Sequence, residues 1–272
     1  MKVANPAAPK IRPPACAGRF YPADPAQLRQ LVQGLLGDAI TASDRAPKAI
    51  ISPHAGYFFS GPVAASGHAR FEPARDVIKR VILVGPSHYA SFSGLAVSSV
   101  EAFLTPLGRV SLDRESIARI LSLPQLMVFD EAHEPEHCLE VELPFLQMSL
   151  DEFKIVPLLA GEATDVEIAE TLDVLWNGPE TRIVVSSDLS HYHDYANATT
   201  IDEATARLIE TLRADELDED RACGFRAIRG LLHLAARHAL KPRCIDLRNS
   251  GDTAGGRERV VGYGAFTFFE SG

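Results

Sequence analysis

Short, unbroken apolar runs alternate along this chain with longer stretches of helical periodicity. The runs are Ala49-Ile50-Ile51, Val81–Val84, Ile155–Leu159 and Ile183–Val185. A run without polar alternation is the pattern of a strand buried on both faces. The first helical stretch opens at Asp24, a predicted N-cap, with Pro25 in the first turn. It continues through Leu28, Leu31, Val32 and Leu35 and stops near Gly37. Further helices are predicted over 62–71, over 112–123 starting at Asp113, and over 136–150 with Pro144 as a kink. Three more follow over 165–176, 200–213 and 221–240, and the closing Val260-to-Phe269 segment reads as a late, antiparallel strand.

Strand alternating with helix implies a layered α/β/α domain around a mixed, largely parallel sheet. Residues 1–18 are Pro-rich and read as an extended leader. No repeat or Gly/Ser linker divides 19–272, which is expected to be one domain.

In an open α/β sheet, ligands bind beyond the carboxyl ends of the strands. Here Ile50-Ile51 runs into Ser52-Pro53-His54, Val81–Val84 into Gly85-Pro86-Ser87-His88, and Ile183–Val185 into Ser186-Ser187-Asp188-Leu189-Ser190-His191. Near the end, Cys244–Leu247 runs into Arg248-Asn249-Ser250-Gly251-Asp252. Each residue alone has an ordinary reading. A lone histidine after a strand is commonly a hydrogen-bonded loop residue, Asp188 reads equally as a cap for the following helix, and Asp252 as a turn former. Taken together, three histidines at three strand ends point to a metal site. Imidazoles plus a carboxylate with open positions suit a divalent metal, iron(II) first, with copper or zinc as alternatives. The candidate ligands are His54 and His88, with His191 beside them; Asp252 is a further candidate, although its turn-forming reading is favoured on the residues alone. His191 and Asp188 are the catalytic candidates, His191 as acid/base.

The remaining histidines divide. His68, His233 and His238 fall within predicted helices and read as structural, and His193 has no assignment. His133 and His137 flank Glu134, Glu136, Glu140 and Glu142, either a second acidic ligand cluster or, as favoured, a helix N-terminus where carboxylates suit the dipole. Cys223 reads as a small core residue, with a reactive thiol at a helix start as the alternative. There is no nucleophile elbow, phosphate loop or dinucleotide fingerprint.

Composition narrows the partners. Twenty-seven Lys and Arg against 36 Asp and Glu give a net charge of −9, which argues against nucleic acid. No run of about 18 apolar residues exists to span a membrane. The N-terminus lacks an apolar signal region, and four cysteines with no C-x-x-C pair fit a reducing cytoplasm. A small molecule in the cleft is the first expected ligand. A peptide or partner protein is the alternative, suggested by Tyr57, Phe58, Phe59, Tyr89, Tyr192 and Tyr195, all placed near the cleft.

From Ala17 onward the chain resembles the Memo family. The likeness rests on AGRFYPADPAQL, ISPHAGYFFSG, VGPSHY, TPLG, EHCLEVELPFLQ, VPLLAG, SSDLSHYHDY, the Cys223-Gly224 helix start, and NSGD with the closing VVGYGAF. The resemblance implies a fold similar to class III extradiol dioxygenases, and it places His54, His88 and His191 on the family's site histidines. It implies a cysteine near NSGD in the eukaryotic branch, where this chain offers Asp252 or Thr253. It further implies metal-dependent redox work or phosphopeptide binding, and association with a radical-SAM protein and an AMMECR-type protein.

Overall fold

A computed structural model describes residues 10–39 and 45–270. In chain order, β1 (Ile11–Arg12) leads to α1 (Pro25–Asp38), whose start is fixed by the Asp24 carboxylate accepting from the Gln27 N–H. Then come β2 (Ala49–Ser52), α2 (Tyr57–His68), β3 (Arg80–Pro86), β4 (Leu95–Val97), β5 (Ala102–Thr105) and β6 (Gly108–Ser111). Next are α3 (Arg114–Ile120), β7 (Leu126–Val128), the single turn α4 (Asp130–His133), α5 (Leu143–Ser149) and β8 (Lys154–Ala160). The chain continues through α6 (Asp165–Val174), β9 (Thr181–Ser186), β10 (His191–His193), α7 (Tyr195–Glu210) and α8 (Phe225–Arg237). It closes with β11 (Lys241–Asn249), α9 (Ser250–Thr253) and β12 (Val260–Phe269).

The four apolar runs are β2, β3, β8 and β9, and they form the centre of a nine-stranded sheet. Its order is β10-β12-β2-β9-β3-β8-β4-β7, with β11 on the outer side of β12. The centre is parallel, as expected from strands buried on both faces, while β12 and β4 run antiparallel on its flanks. From β2 to β3 and on to β8 the chain moves one way across the sheet. From β8 to β9 it moves back. Right-handed crossovers therefore place α2 and α5 on one face and α6 on the other. This is why α2 packs on α5 and α1, whereas α6 packs on α8. The reversal also opens a crevice at the carboxyl ends of β2, β9 and β3.

Several element bounds differ from the sequence reading. Helix α2 starts at Tyr57 with Pro62 inside it. Helix α7 starts at Tyr195 because Asp194, not Asp188, caps it, and α8 starts at Phe225. Residues 10–18, read as part of a leader, are tied in: β1 pairs with β5, which pairs with β6 in a separate three-stranded sheet. Residues 1–9 of that leader lie outside the described residues.

The largest difference is the stretch read as one helix over 136–150. Only 143–149 is helical, and Pro144 sits in its first turn rather than at a kink. The preceding segment is irregular and buried, with Glu136, Glu140 and Glu142 at 0–2% exposure. A carboxylate that deep must find donors. Glu140 accepts from Arg12 Nη1 at 2.6 Å, from the backbone N–H groups of Ala15 and Cys16, and from the Tyr21 hydroxyl. Burial pushes its pKa up, but the Arg12 charge and these donors outweigh burial and hold it below the usual range. Arg12 also donates to the carbonyl of His133 at 2.7 Å and lies over the Phe103 ring. A helix would have put Glu136 and Glu140 on one face and Glu142 on nearly the opposite one; the irregular segment turns all three inward.

Breaking a buried ion pair strands its partner, at about 3–5 kcal/mol. Arg12→Ala is expected to lower unfolding free energy by about 3 kcal/mol in urea titration, the lower end because four other donors to Glu140 remain, the Cys16 thiol among them. A loss below about 1 kcal/mol would show that those donors suffice alone.

Candidate metal centre

Three strand exits build the site. Strand β2 ends in Ser52-Pro53-His54, β3 in Ser87-His88, and β9 in Ser187-Asp188. The exits are tied together by backbone. Asp188 Oδ1 accepts from the N–H of His54 at 2.8 Å and of Ala55 at 3.2 Å, and the Ser187 N–H donates to the Ser52 carbonyl. After Asp188 the chain crosses to β12. There the Leu189 N–H donates to the Gly262 carbonyl and the Gly262 N–H to the Ser190 carbonyl, which delivers His191 to β10. Only glycine fits at 262, since a Cβ there would lie 2.0 Å from the buried Asp202 carboxylate.

His54, His88 and His137 come together: each offers a ring nitrogen within 4.8 Å of the other two. The ring centroids of His54 lie 5.2 Å from His88 and 5.4 Å from His137, both edge-on, while His88 and His137 stack at 4.7 Å. His54 is buried and His88 is open to solvent on one side. His54 Nδ1 faces Ser186 Oγ at 2.9 Å, and His88 Nδ1 faces Glu136 Oε1 at 2.9 Å. Burial raises the Glu136 pKa, but donors from His137, His88 and the backbone outweigh burial and hold it far below the carboxylate range. An ionised Glu136 only accepts, so Nδ1 is the donor in its pair with His88. His54 is held neutral because burial, then the neighbouring His88 and His137, push its pKa well down.

Cys223 adds a thiol. Its Sγ lies 3.3 Å from His54 Nε2, and burial followed by the Asp188 charge pushes its pKa up to about 12. It is placed by Gly224, whose N–H donates to Ser187 Oγ and where a Cβ would meet Ser187 at 2.7 Å. Asp188 is itself pushed up to about 7 by burial, against the backbone donors that favour its charge. His191 is pushed down, chiefly by burial. It lies outside the three-histidine group but within electrostatic range of it.

Asp252 is not brought to these histidines. It is exposed, accepts from the Tyr195 hydroxyl and the Asn249 N–H, and closes a reciprocal cap on α9. Thr253 Oγ1 likewise faces the Ser250 carbonyl. Among the described residues, no group of potential ligand atoms includes Asp252. His68, His233 and His238 bond to Glu142, Asp165 and Asp173, and His133 to the Ala96 carbonyl. Tyr57, read as a rim aromatic, is buried with its hydroxyl on the Val141 carbonyl. Phe58, Phe59, Tyr89 and Tyr192 are exposed.

His137, Glu136 and Cys223 are the site residues the sequence reading did not select. Two signals pointed to them. The acidic run alternates Glu140 and Glu142 with Leu139, Val141 and Leu143, a period unlike a solvated helix start, and Cys223 is followed by glycine. Chemically, a cluster of imidazole nitrogens beside a thiol suits a borderline transition metal.

The chain is similar to known proteins over nearly its whole length. A family model described as Memo-like protein matches residues 12–267. A MEMO1 family protein of Aquifex aeolicus is 36% identical over 266 residues, covering 93% of this chain and 97% of the relative. MEMO1 family proteins of Sulfolobus acidocaldarius and Methanothermobacter thermautotrophicus are each 36% identical, over 279 and 276 residues, with 93% of this chain and 97% and 98% of theirs covered.

Burial of Asp188 sets a pH signature. Its folded-state pKa near 7 exceeds the unfolded value near 3.8, so the native state binds the proton more tightly and stability falls as pH rises between these values. Asp188→Asn removes the titration and keeps an acceptor oxygen for both backbone donors. In metal-free protein, the stability of the variant relative to the wild type should climb from pH 4 to 7, by up to about 4 kcal/mol, and level off above. Denaturant midpoints across pH measure this; a flat difference would show that Asp188 ionises freely.

Proposed function

The chain belongs to the Memo-like protein family, and on that footing we propose that its histidine cluster is a non-haem metal centre for redox chemistry of dioxygenase type. The observation that carries the reading is the convergence of His54, His88 and His137 at the strand ends, with the Nδ1 of both His54 and His88 engaged from behind. Such a set suits iron(II), and copper or zinc accept the same donors. When bound, the ion supplies a Lewis acid and, for iron or copper, an electron source.

The protein's own groups have separable tasks in this reading. His54, His88 and His137 hold the ion, and Cys223 offers a thiol beside His54 Nε2. His191 and Asp188 serve as proton carriers. Asp188 suits that task because a carboxyl near 7 exchanges its proton around neutral pH. A cavity of about 200 Å³ adjoins Cys223, lined also by Ser87, Phe92, Phe225 and Arg226. That is below the ~300–1,000 Å³ of pockets for drug-sized ligands, which favours a small-molecule substrate. The exposed Phe58, Phe59, Tyr89 and Tyr192 favour a second reading, in which the same face docks a peptide or a partner protein such as the radical-SAM and AMMECR-type proteins. All four cysteines are free and no helix among the described residues is long and apolar enough to cross a membrane, which supports a cytoplasmic setting.

Anaerobic titration with iron(II), and in parallel with zinc(II) and copper(II), tests the centre. Wild type should bind one ion, and His54→Ala and His88→Ala should each bind it more than about 100-fold more weakly, beyond the 10- to 100-fold cost of removing a supporting group. Equal, weak binding by all three proteins overturns the metal reading. Oxygen uptake by the iron-loaded wild type, absent in both variants, supports the redox assignment.

A further inference from the structure

Behind His54 runs a line of buried polar groups. Its Nδ1 lies 2.9 Å from Ser186 Oγ on β9. That oxygen reaches Glu142 Oε1 at 2.9 Å and the Cys138 carbonyl at 2.7 Å, and Glu142 Oε2 meets His68 Nε2 on α2 at 2.6 Å. All four side chains are at most 2% exposed. His68 stacks on Phe145, and its Nδ1 has no partner among the described residues. Burying a carboxylate and an imidazole here costs more than an apolar pair of similar volume would. Packing alone does not account for the line.

We propose that Ser186, Glu142 and His68 are positioning residues that lock His54 as its Nδ1–H tautomer, leaving Nε2 bare toward Cys223 and an incoming metal. The inference rests on the metal-centre reading for its purpose, but its geometry stands apart from it. Ser186 has one hydroxyl proton, and two acceptors claim it: the Cys138 carbonyl and the Glu142 carboxylate. Only a lone pair remains for His54, so Nδ1 must donate. In a neutral ring the other nitrogen is then an acceptor or a metal ligand. Glu142 keeps the hydroxyl proton turned away from His54. His68 Nε2–H in turn fixes the second oxygen of Glu142, so the carboxylate cannot rotate. A carboxylate acting through a donor on a ligating histidine raises the basicity of that ligand as well as orienting it. Here the serine hydroxyl is interposed, and polarisation passes along the chain of hydrogen bonds.

Long-range ¹H–¹⁵N spectra of metal-free, ¹⁵N-histidine-labelled protein read the tautomer without any metal. Wild-type His54 should show a single Nδ1–H species. Ser186→Ala should release it to a mixture, and Ser186→Thr, which keeps the hydroxyl, should restore it. In zinc(II) titrations Ser186→Ala should weaken binding about 10- to 100-fold. Glu142→Gln should weaken it in the same direction, and the double variant should bind no more weakly than Ser186→Ala, because members of one chain are not additive. A pure Nδ1–H tautomer in Ser186→Ala, or additive losses in the double variant, overturns the proposal. If wild type binds no zinc while the tautomer responds as described, the metal reading falls and the lock stands. Thermal unfolding of each variant identifies any that fail to fold, in which case the Ser186→Thr and Glu142→Gln pair decides.

Discussion

Three carboxylates on one irregular segment must be satisfied in the interior, and much of the molecule is arranged to do so. Glu136, Glu140 and Glu142 lie within seven residues of each other, all essentially without solvent. Glu140 calls in Arg12 from β1 and the hydroxyl of Tyr21. Glu136 takes the N–H groups of His88, His137 and Cys138 together with the His88 ring, and Glu142 binds His68 from α2 and Ser186 from β9. The segment thus clamps the N-terminal strand, one helix layer and two central strand ends to a common point. Stranding one of these charges would cost about 3–5 kcal/mol, a large share of the ~5–15 kcal/mol by which a domain is stable.

Much of this was legible in the sequence where burial pattern and chemistry coincide. The four apolar runs became the four parallel strands, and the residues just beyond three of them, His54, His88 and Asp188 with His191, are found where the sheet opens its crevice. The rest depended on tertiary partners that no local pattern encodes. The stretch 136–150 has helical leucine spacing, but its glutamates prefer specific donors from β1, α2 and β9 to water, and the first half of the expected helix is lost. His137 comes to the site only because of that loss. Cys223 arrives by way of α8, thirty-five residues beyond Asp188, and the reason it lies there is a close approach of Gly224 to Ser187. Asp252 lies apart from the grouped ligand atoms: its strand ends on the same side of the sheet, but beyond β12, where its carboxylate caps α9.

The site also explains why similar folds need not share chemistry. What distinguishes this one is the order in which its groups are supported. The two histidines at strand ends are each held from behind by an acceptor on another element, whereas His191 is held by the backbone of β10, next to Tyr192 in the left-handed region at φ 62°. In the first arrangement His54 is buried and His88 keeps an exposed edge; in the second His191 is half-buried beside a β-bulge.

The pairing of β12 with β2 has a consequence for biosynthesis. Phe266 lies opposite Ile51, and Gly262 holds the crossing that carries His191, so the crevice has no closed wall until residues beyond 262 exist. At ~5–20 residues per second, His54 leaves the ribosome roughly 10–40 s before that strand does. Throughout that interval the nascent chain presents histidines and thiols without the scaffold that orients them. The wall that carries His191 is thus the last part of the crevice to form, after the strands that carry His54 and His88 have been made.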